Sequence, residues 1–242
     1  MVLLECKDGL IGDFLGFIPV ISTLAEQDEL HLAIHPESEE LYELIPKNWN
    51  ISRQQQIHYD KVLKLDAYEA SNISHIHNYY MSQAYFAYLG LPVPLTPPKA
   101  ELNYPVVDVP SFDYIIAPFS RSLPDEQRWP RSYWQQLVEL MPQCSFCMIG
   151  HARDDHHFIT ADNVTGMFNE PIVTVINLFT KARQGLISVV SGPSHLAFHL
   201  SVKNYLLTNQ EMAWGNNPDA VQVRDYIPSL SATKLLSILQ TI

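Results

Sequence analysis

Short apolar runs alternate along this chain with longer segments of helical period. Residues 2–6, 31–34 and 62–65 read as strands in the first half, and 114–117, 145–149, 186–190 and 204–207 in the second. The runs at 2–6 and 186–190 are mostly apolar, without helical period, which fits strands buried in a parallel sheet. Between them, Leu15, Ile18, Ile21 and Leu24 recur at helical spacing behind Asp13. An acidic helix is expected over 37–44 and a long amphipathic one over 72–89, closed by Gly90 as its C-cap. Further helices are expected over 131–141, 173–183, 194–202 with Ser194 as N-cap, and 231–239 with Ser231 as N-cap.

Midway the composition changes. Residues 91–110 contain Pro92, Pro94, Pro97, Pro98, Pro105 and Pro110, a linker composition, and the strand-helix alternation restarts after them. Two units follow, 1–108 with its Pro-rich linker and 109–242. The pattern predicts an α/β protein of two doubly wound, Rossmann-like domains whose parallel sheets face each other across a cleft, with ligands at the carboxyl ends of the strands.

Composition narrows the partners. A length of 242 residues with 47% hydrophobic content fills substantial cores. A net charge of −11 argues against holding nucleic acid by overall charge, although a local basic cleft can still capture an anion. Cys6, Cys144 and Cys147 supply neither a disulfide framework nor a zinc spacing, and imply a reducing, cytoplasmic setting. Cys144 and Cys147 have the spacing of a redox pair but open an apolar run, so burial in a strand is the better account. Glu5 stands too early for a signal peptide, and no apolar run approaches the ~20 residues of a membrane span.

Three stretches carry candidate chemistry. The run 185–200 reads strand, Ser191-Gly192-Pro193-Ser194 turn, then a helix opening on His195, a junction whose backbone N–H groups and helix dipole favour an anion such as phosphate. His195, in the first turn, can add a ring hydrogen bond. Gly12-Asp13 marks a similar strand-to-helix corner after the turn Lys7-Asp8-Gly9. The loop 118–130 follows a strand and concentrates Arg121 and Arg128, with Arg131 just beyond, in an otherwise acidic chain. Helix capping by Asp13 and a solvated loop for the arginines explain the same residues without a ligand.

In this order the motifs resemble the bacterial lipopolysaccharide heptosyltransferases, glycosyltransferases of GT-B fold. The resemblance spans nearly the whole chain: Gly12-Asp13 before an apolar helix with Pro19, the Trp129-Pro130 helix entry, a strand ending at Gly150, and Ser191-Gly-Pro-Ser-His-Leu-Ala197. It implies metal-independent, inverting transfer of a sugar from a nucleotide diphosphate sugar to an acceptor hydroxyl, with no further cofactor. Asp13 falls on the family's catalytic base. Arg128 falls on the basic residue that faces the leaving diphosphate, joined by Arg121, Ser191, Gly192, Ser194, His195 and Gly150 as donor-site residues. Val190 departs from the family, which carries Asp just before this Ser-Gly pair. Asp154 or Asp155 can stand in for the acidic residue used near the nucleoside. His151, His156 and His157 beside them fit a polar loop better than a metal site.

For the acceptor side the candidates are Gly12, His75 and His77, with Tyr79, Tyr80 and Tyr85 nearby in the sequence. The acceptor is a glycan, or a hydroxymethylated base in DNA if Lys7, Arg53, Lys61 and Lys64 form a basic rim. Two rivals share the fold: a sugar-nucleotide epimerase, and a non-catalytic sugar-nucleotide-binding protein that the Val190 departure would suit.

Overall fold

The computed structural model describes residues 1–6, 11–121, 128–208, 218–223 and 227–241. The chain divides into two compact units, with the first boundary between Pro105 and Val106. Each is built around one all-parallel sheet.

In the first unit, strand β1 (Val2–Cys6) leads to helix α1 (Ile11–Ala25), β2 (Leu30–Ile34), a 3-10 helix (Pro36–Leu44), β3 (Ile51–Arg53), β4 (Lys61–Lys64), α2 (Ala67–His77) and α3 (Met81–Tyr88). The sheet order is β3-β2-β1-β4, with Leu4 of β1 opposite Leu32 of β2 and Leu63 of β4. α1 is buried along its middle from Phe14 to Ile21, including Pro19, which explains why its apolar residues exceed a single stripe.

The second unit contains β5 (Tyr114–Ala117), α4 (Arg131–Glu139), β6 (Phe146–Gly150), β7 (Val164–Phe168), α5 (Ile172–Thr180), β8 (Gly185–Val189), α6 (Gly192–His199), β9 (Asn204–Leu207), β10 (Val221–Val223) and α7 (Ala232–Thr241). Its strand order is β10-β9-β8-β5-β6-β7. One core joins Tyr114, Phe146, Tyr205, Trp129 and Trp134 to Leu235 and Leu239 of α7.

Both sheets begin at a central strand, go one way, then return and continue on its other side. The reversal falls between β1 and β4 in the first unit and between β5 and β8 in the second. At such a switch point the successive connections leave to opposite sides, opening a crevice at the carboxyl ends of the two strands.

Several elements differ from the sequence expectation. The segment 72–89 is two helices: Asn78 takes a left-handed conformation (φ 54°) and caps α2 through its N–H to the Ser74 carbonyl. Ser74 reinforces the break by donating its hydroxyl to the Tyr79 carbonyl at 2.5 Å. Residues 37–44 lie in the 3-10 helix instead of an α-helix. β3, β7 and β10 are strands without a recognisable pattern; β7 reads Val-Thr-Gly-Met-Phe and is largely uncovered. α6 starts before Ser194, at Gly192, with Ser191 as its N-cap. The turn Lys7-Asp8-Gly9 and most of the loop after Arg121 lie outside the described residues.

The Pro-rich segment is held against both neighbours. On the first unit, Gln83 Nε2 and Ser82 Oγ donate to the Pro94 and Pro98 carbonyls (2.8 and 3.3 Å), and the Asn103 N–H donates to the Leu44 carbonyl at 2.7 Å. On the second unit, the Val107 N–H reaches Asn177 Oδ1 at 3.2 Å and Ser111 Oγ donates to the Lys181 carbonyl at 3.0 Å. Prolines cannot form a ladder, so side chains take over that task. Among the described residues, no helix is long and apolar enough to cross a membrane.

Candidate functional site

Some of the residues singled out in the sequence fall at the switch points: Gly12 and Asp13 follow β1 in the first unit, and Ser120, Arg128 and the Ser191 turn follow β5 and β8 in the second. In the second unit, Ser120 follows β5 and donates its hydroxyl to the Val190 carbonyl, just beyond β8, at 2.8 Å. Arg128 Nη2 donates to the Ser120 carbonyl at 3.2 Å. These two bonds bring the guanidinium of Arg128 and the Ser191 turn to the same crevice. Arg128 is exposed, whereas its neighbour Trp129 is buried and donates its indole N–H to the Leu230 carbonyl at 2.6 Å. The edge of that ring meets Trp134 with centroids 4.8 Å apart. Trp129 therefore anchors the chain segment that presents Arg128.

The α6 turn is more economical in donors than its sequence suggested. Ser194 and His195 both direct their N–H groups at the Ser191 carbonyl (3.0 and 3.4 Å), and Pro193 has none. The Ser191 N–H is taken by Ser194 Oγ at 3.3 Å, and Ser194 Oγ donates in turn to the Ser191 carbonyl at 2.7 Å. Gly192 is left as the one N–H of the stretch that the turn does not consume. The expected cradle of successive N–H groups is thus corrected to one backbone donor plus the field of the helix end.

His195 is buried, and burial lowers its imidazole to about 4. Near neutral pH it is an uncharged ring able to donate one hydrogen bond, not a second cation. Positive charge near this turn comes from the arginines. Arg121, next to Ser120, is exposed. Arg131 is not part of the set: it pairs with Asp155 at 3.2 Å, donates to the His157 carbonyl and lies over the Phe158 ring.

Gly150 ends β6, with β5 between it and β8. A Cβ there would stand 2.7 Å from the Phe168 ring and 3.0 Å from Phe119, so packing alone requires glycine. Around it gathers an aromatic cluster that sequence reading missed. Phe119 meets Phe158 edge-on at 5.1 Å, Phe168 lies 6.2 Å from Phe119, and His156 stacks on Phe168 at 4.1 Å. Asp154 accepts the His151 N–H at 2.6 Å and Asp155 the His157 N–H at 2.9 Å, so both shape the loop after β6. Among the described residues, no group of three or more His, Cys, Asp and Glu side chains is placed to hold a metal ion.

In the first unit, Gly12 and Asp13 occupy the first turn of α1, the helix that follows β1. A carboxylate there is favoured in its ionised form by the helix dipole. β4 on the other side of the switch ends at Lys64, and two residues on, the Asp66 carboxylate caps α2 by accepting the Tyr68 and Glu69 N–H groups (2.9 and 3.0 Å). His75 and His77 lie in the last turn of α2, about 14 and 17 Å along the axis from Asp66. They are exposed, with His77 stacked on Tyr79, and the fold does not bring them to the Asp13 corner. Tyr80 and Tyr85 are buried in the core. Of the expected basic rim, Lys7 lies outside the described residues and Arg53 is paired with Glu39 and Glu43. Lys61 and Lys64 are exposed on the edge strand.

No protein-family model and no curated protein sequence matches the chain. Solved structures do. The iron-containing dodecameric glycosyltransferase TibC of enterotoxigenic E. coli superposes with a TM-score of 0.74 at 14% identity, over 99% of this chain and 75% of that one. The residues described here offer no ligand set for an iron like the one named there. E. coli heptosyltransferase WaaC with ADP gives 0.71 at 13% identity, over 100% and 99% of the two chains. A family 9 glycosyl transferase from Veillonella parvula gives 0.72 at 12% identity, over 99% and 96%. At these identities the likeness establishes the architecture: this chain has the fold of the GT-B heptosyltransferases, two Rossmann-like α/β units in one polypeptide.

Proposed function

We propose that the protein is a glycosyltransferase that moves a sugar, with inversion and without a metal, from a nucleotide diphosphate sugar to an acceptor hydroxyl. The observation that carries this reading is the placement of a carboxylate, Asp13, and an arginine-flanked helix start, Arg128 with Ser191 to His195, each at the switch point of its own sheet in a GT-B fold. The first unit is the acceptor side, with Gly12 and Asp13 at its corner. The second takes the donor.

The chemistry follows from these groups. Asp13, ionised at the start of α1, accepts the proton of the acceptor hydroxyl as its oxygen attacks the anomeric carbon. The bond from that carbon to the diphosphate breaks on the opposite face, and the leaving group takes the electron pair. Arg128 and Arg121 oppose the charge that grows on the diphosphate, while the α6 helix end and Gly192 N–H add oriented dipoles. Neutral His195 contributes a hydrogen bond only. A glycan hydroxyl is the acceptor this acidic chain suits best; a hydroxymethylated base in DNA needs basic residues that the described surface does not gather.

One observation favours a second reading. Val190, where the resemblance leads one to expect Asp, is buried and offers the crevice only its backbone, whose carbonyl already accepts from Ser120. A non-catalytic sugar-nucleotide-binding protein would tolerate that loss. The two readings separate on one experiment: a screen of nucleotide sugars by thermal shift, followed by a turnover assay on Asp13→Ala. A ligand that binds the folded state raises the melting temperature. The enzyme predicts that the variant keeps this shift and loses turnover. A wild-type protein that binds a nucleotide sugar but transfers or hydrolyses nothing supports the non-catalytic reading, and absence of any shift refutes both.

A further inference from the structure

Tyr85 is a buried group that the chemistry above leaves unexplained. It is fully inaccessible, and its hydroxyl has no hydrogen-bond partner. A tyrosine with that role in packing alone is replaceable by phenylalanine, because an unsatisfied buried hydroxyl carries a desolvation cost.

Its position is specific. The ring lies against α1, with its centroid 4.1 Å from that of Phe17 and its edge 3.1 Å from where a Cβ on Gly16 would stand. Gly16 and Phe17 are three and four residues beyond Asp13, so all three share one face of the helix. The titratable groups that act on the Tyr85 hydroxyl are Asp13 first, then Cys6 at the end of β1 and Asp66, the N-cap of α2 just after β4. Those residues mark the switch point of the first sheet. Cys6 is no competitor, since burial holds its thiol protonated, and Asp66 is engaged by the start of α2. Burial also raises the Tyr85 hydroxyl well above its ordinary value, with Asp13 adding to the effect, so it remains a proton-bearing donor.

We infer that Tyr85 is a positioning residue for Asp13, its hydroxyl reaching one carboxylate oxygen through one bridging water so that the other oxygen meets the acceptor. The inference rests on the proposed role of Asp13. It needs Gly16 as well, because any larger residue would displace the ring.

The test is Tyr85→Phe, which keeps the ring and removes only the oxygen. The variant is expected to keep a single cooperative unfolding transition, showing that the ring still packs against α1. kcat is expected to fall about tenfold, the worth of one hydrogen bond to a charged group, with the donor KM unchanged. Independently of turnover, the Asp13 carboxyl, identified by carbon NMR through loss of its signal in Asp13→Asn, should titrate at higher pH in Tyr85→Phe than in wild type. An unchanged kcat together with an unchanged Asp13 titration overturns the inference and leaves Tyr85 a packing residue. If wild type transfers no sugar, the proposed function fails, and the NMR titration alone still decides whether Tyr85 acts on Asp13.

Discussion

The buried imidazole of His195 makes folding stability depend on pH in a way that can be worked out. In the unfolded chain the ring takes up its proton around pH 6.5, whereas in the folded protein burial lowers that point to about 4. Between those values the unfolded chain holds the proton and the folded one does not, so stability must fall as the pH falls. At about 1.4 kcal/mol per pH unit, the loss from pH 7 to pH 5 amounts to about 2 kcal/mol, and it approaches about 3 kcal/mol below pH 4. Above pH 6.5 the ring is neutral in both states and contributes no slope. Urea unfolding of wild type and His195→Gln at pH 7 and pH 5 isolates this contribution, because other titrating groups are common to both proteins. Wild type should lose about 2 kcal/mol more than the variant over that interval. Equal losses would mean that the imidazole protonates in the folded protein as it does in water. The assignment of His195 as a neutral donor beside the Ser191 turn would then be wrong.

Two further substitutions probe the second unit. Gly185, at the start of β8, has φ +113°, and a Cβ there would stand 2.3 Å from the Lys203 carbonyl oxygen. Gly185→Ala should therefore cost about 3 kcal/mol or more, or prevent folding, as read by denaturant unfolding and by yield of folded protein. Arg128→Ala should change stability by no more than about 0.5 kcal/mol, because the side chain is exposed. It should weaken binding of a nucleotide diphosphate sugar about 10–100-fold in calorimetry while sparing the corresponding nucleoside; equal loss for both would place the diphosphate elsewhere.

Local sequence determined a good part of this protein. Predominantly apolar runs such as Val2–Cys6 and Gly185–Val189 must be covered on both faces, and their alternation with helical segments leaves parallel sheets as the way to do it. Glycine, proline and serine at 191–194 and the carboxylate at Asp13 mark helix starts by rules acting over three or four residues, and the two α/β units follow from the repeat of that pattern. The reach of such rules is also their limit. A serine next to Gly-Pro can cap from either side, and Ser191 caps because Ser194 is held as its partner within the turn. Asn78 ends α2 inside an amphipathic pattern that would continue, because a left-handed residue and the Ser74 hydroxyl offset the missing helix bonds locally.

Tertiary structure decided what each polar group does. Arg128 and Arg131 look alike in sequence, yet one is tied to the Ser120 carbonyl at a switch point and the other is held by Asp155. The strand order that creates the switch points depends on pairings between distant segments, as when β5 receives β8 on one side and β6 on the other. His195 loses its charge because of what is packed around it, and Tyr85 meets α1 at Gly16 and Phe17 because α3 packs against that helix. Neither burial nor crossing is written in a spacing. Both arise only when segments far apart in the chain exclude water together, which is where desolvation and close packing acquire their energies.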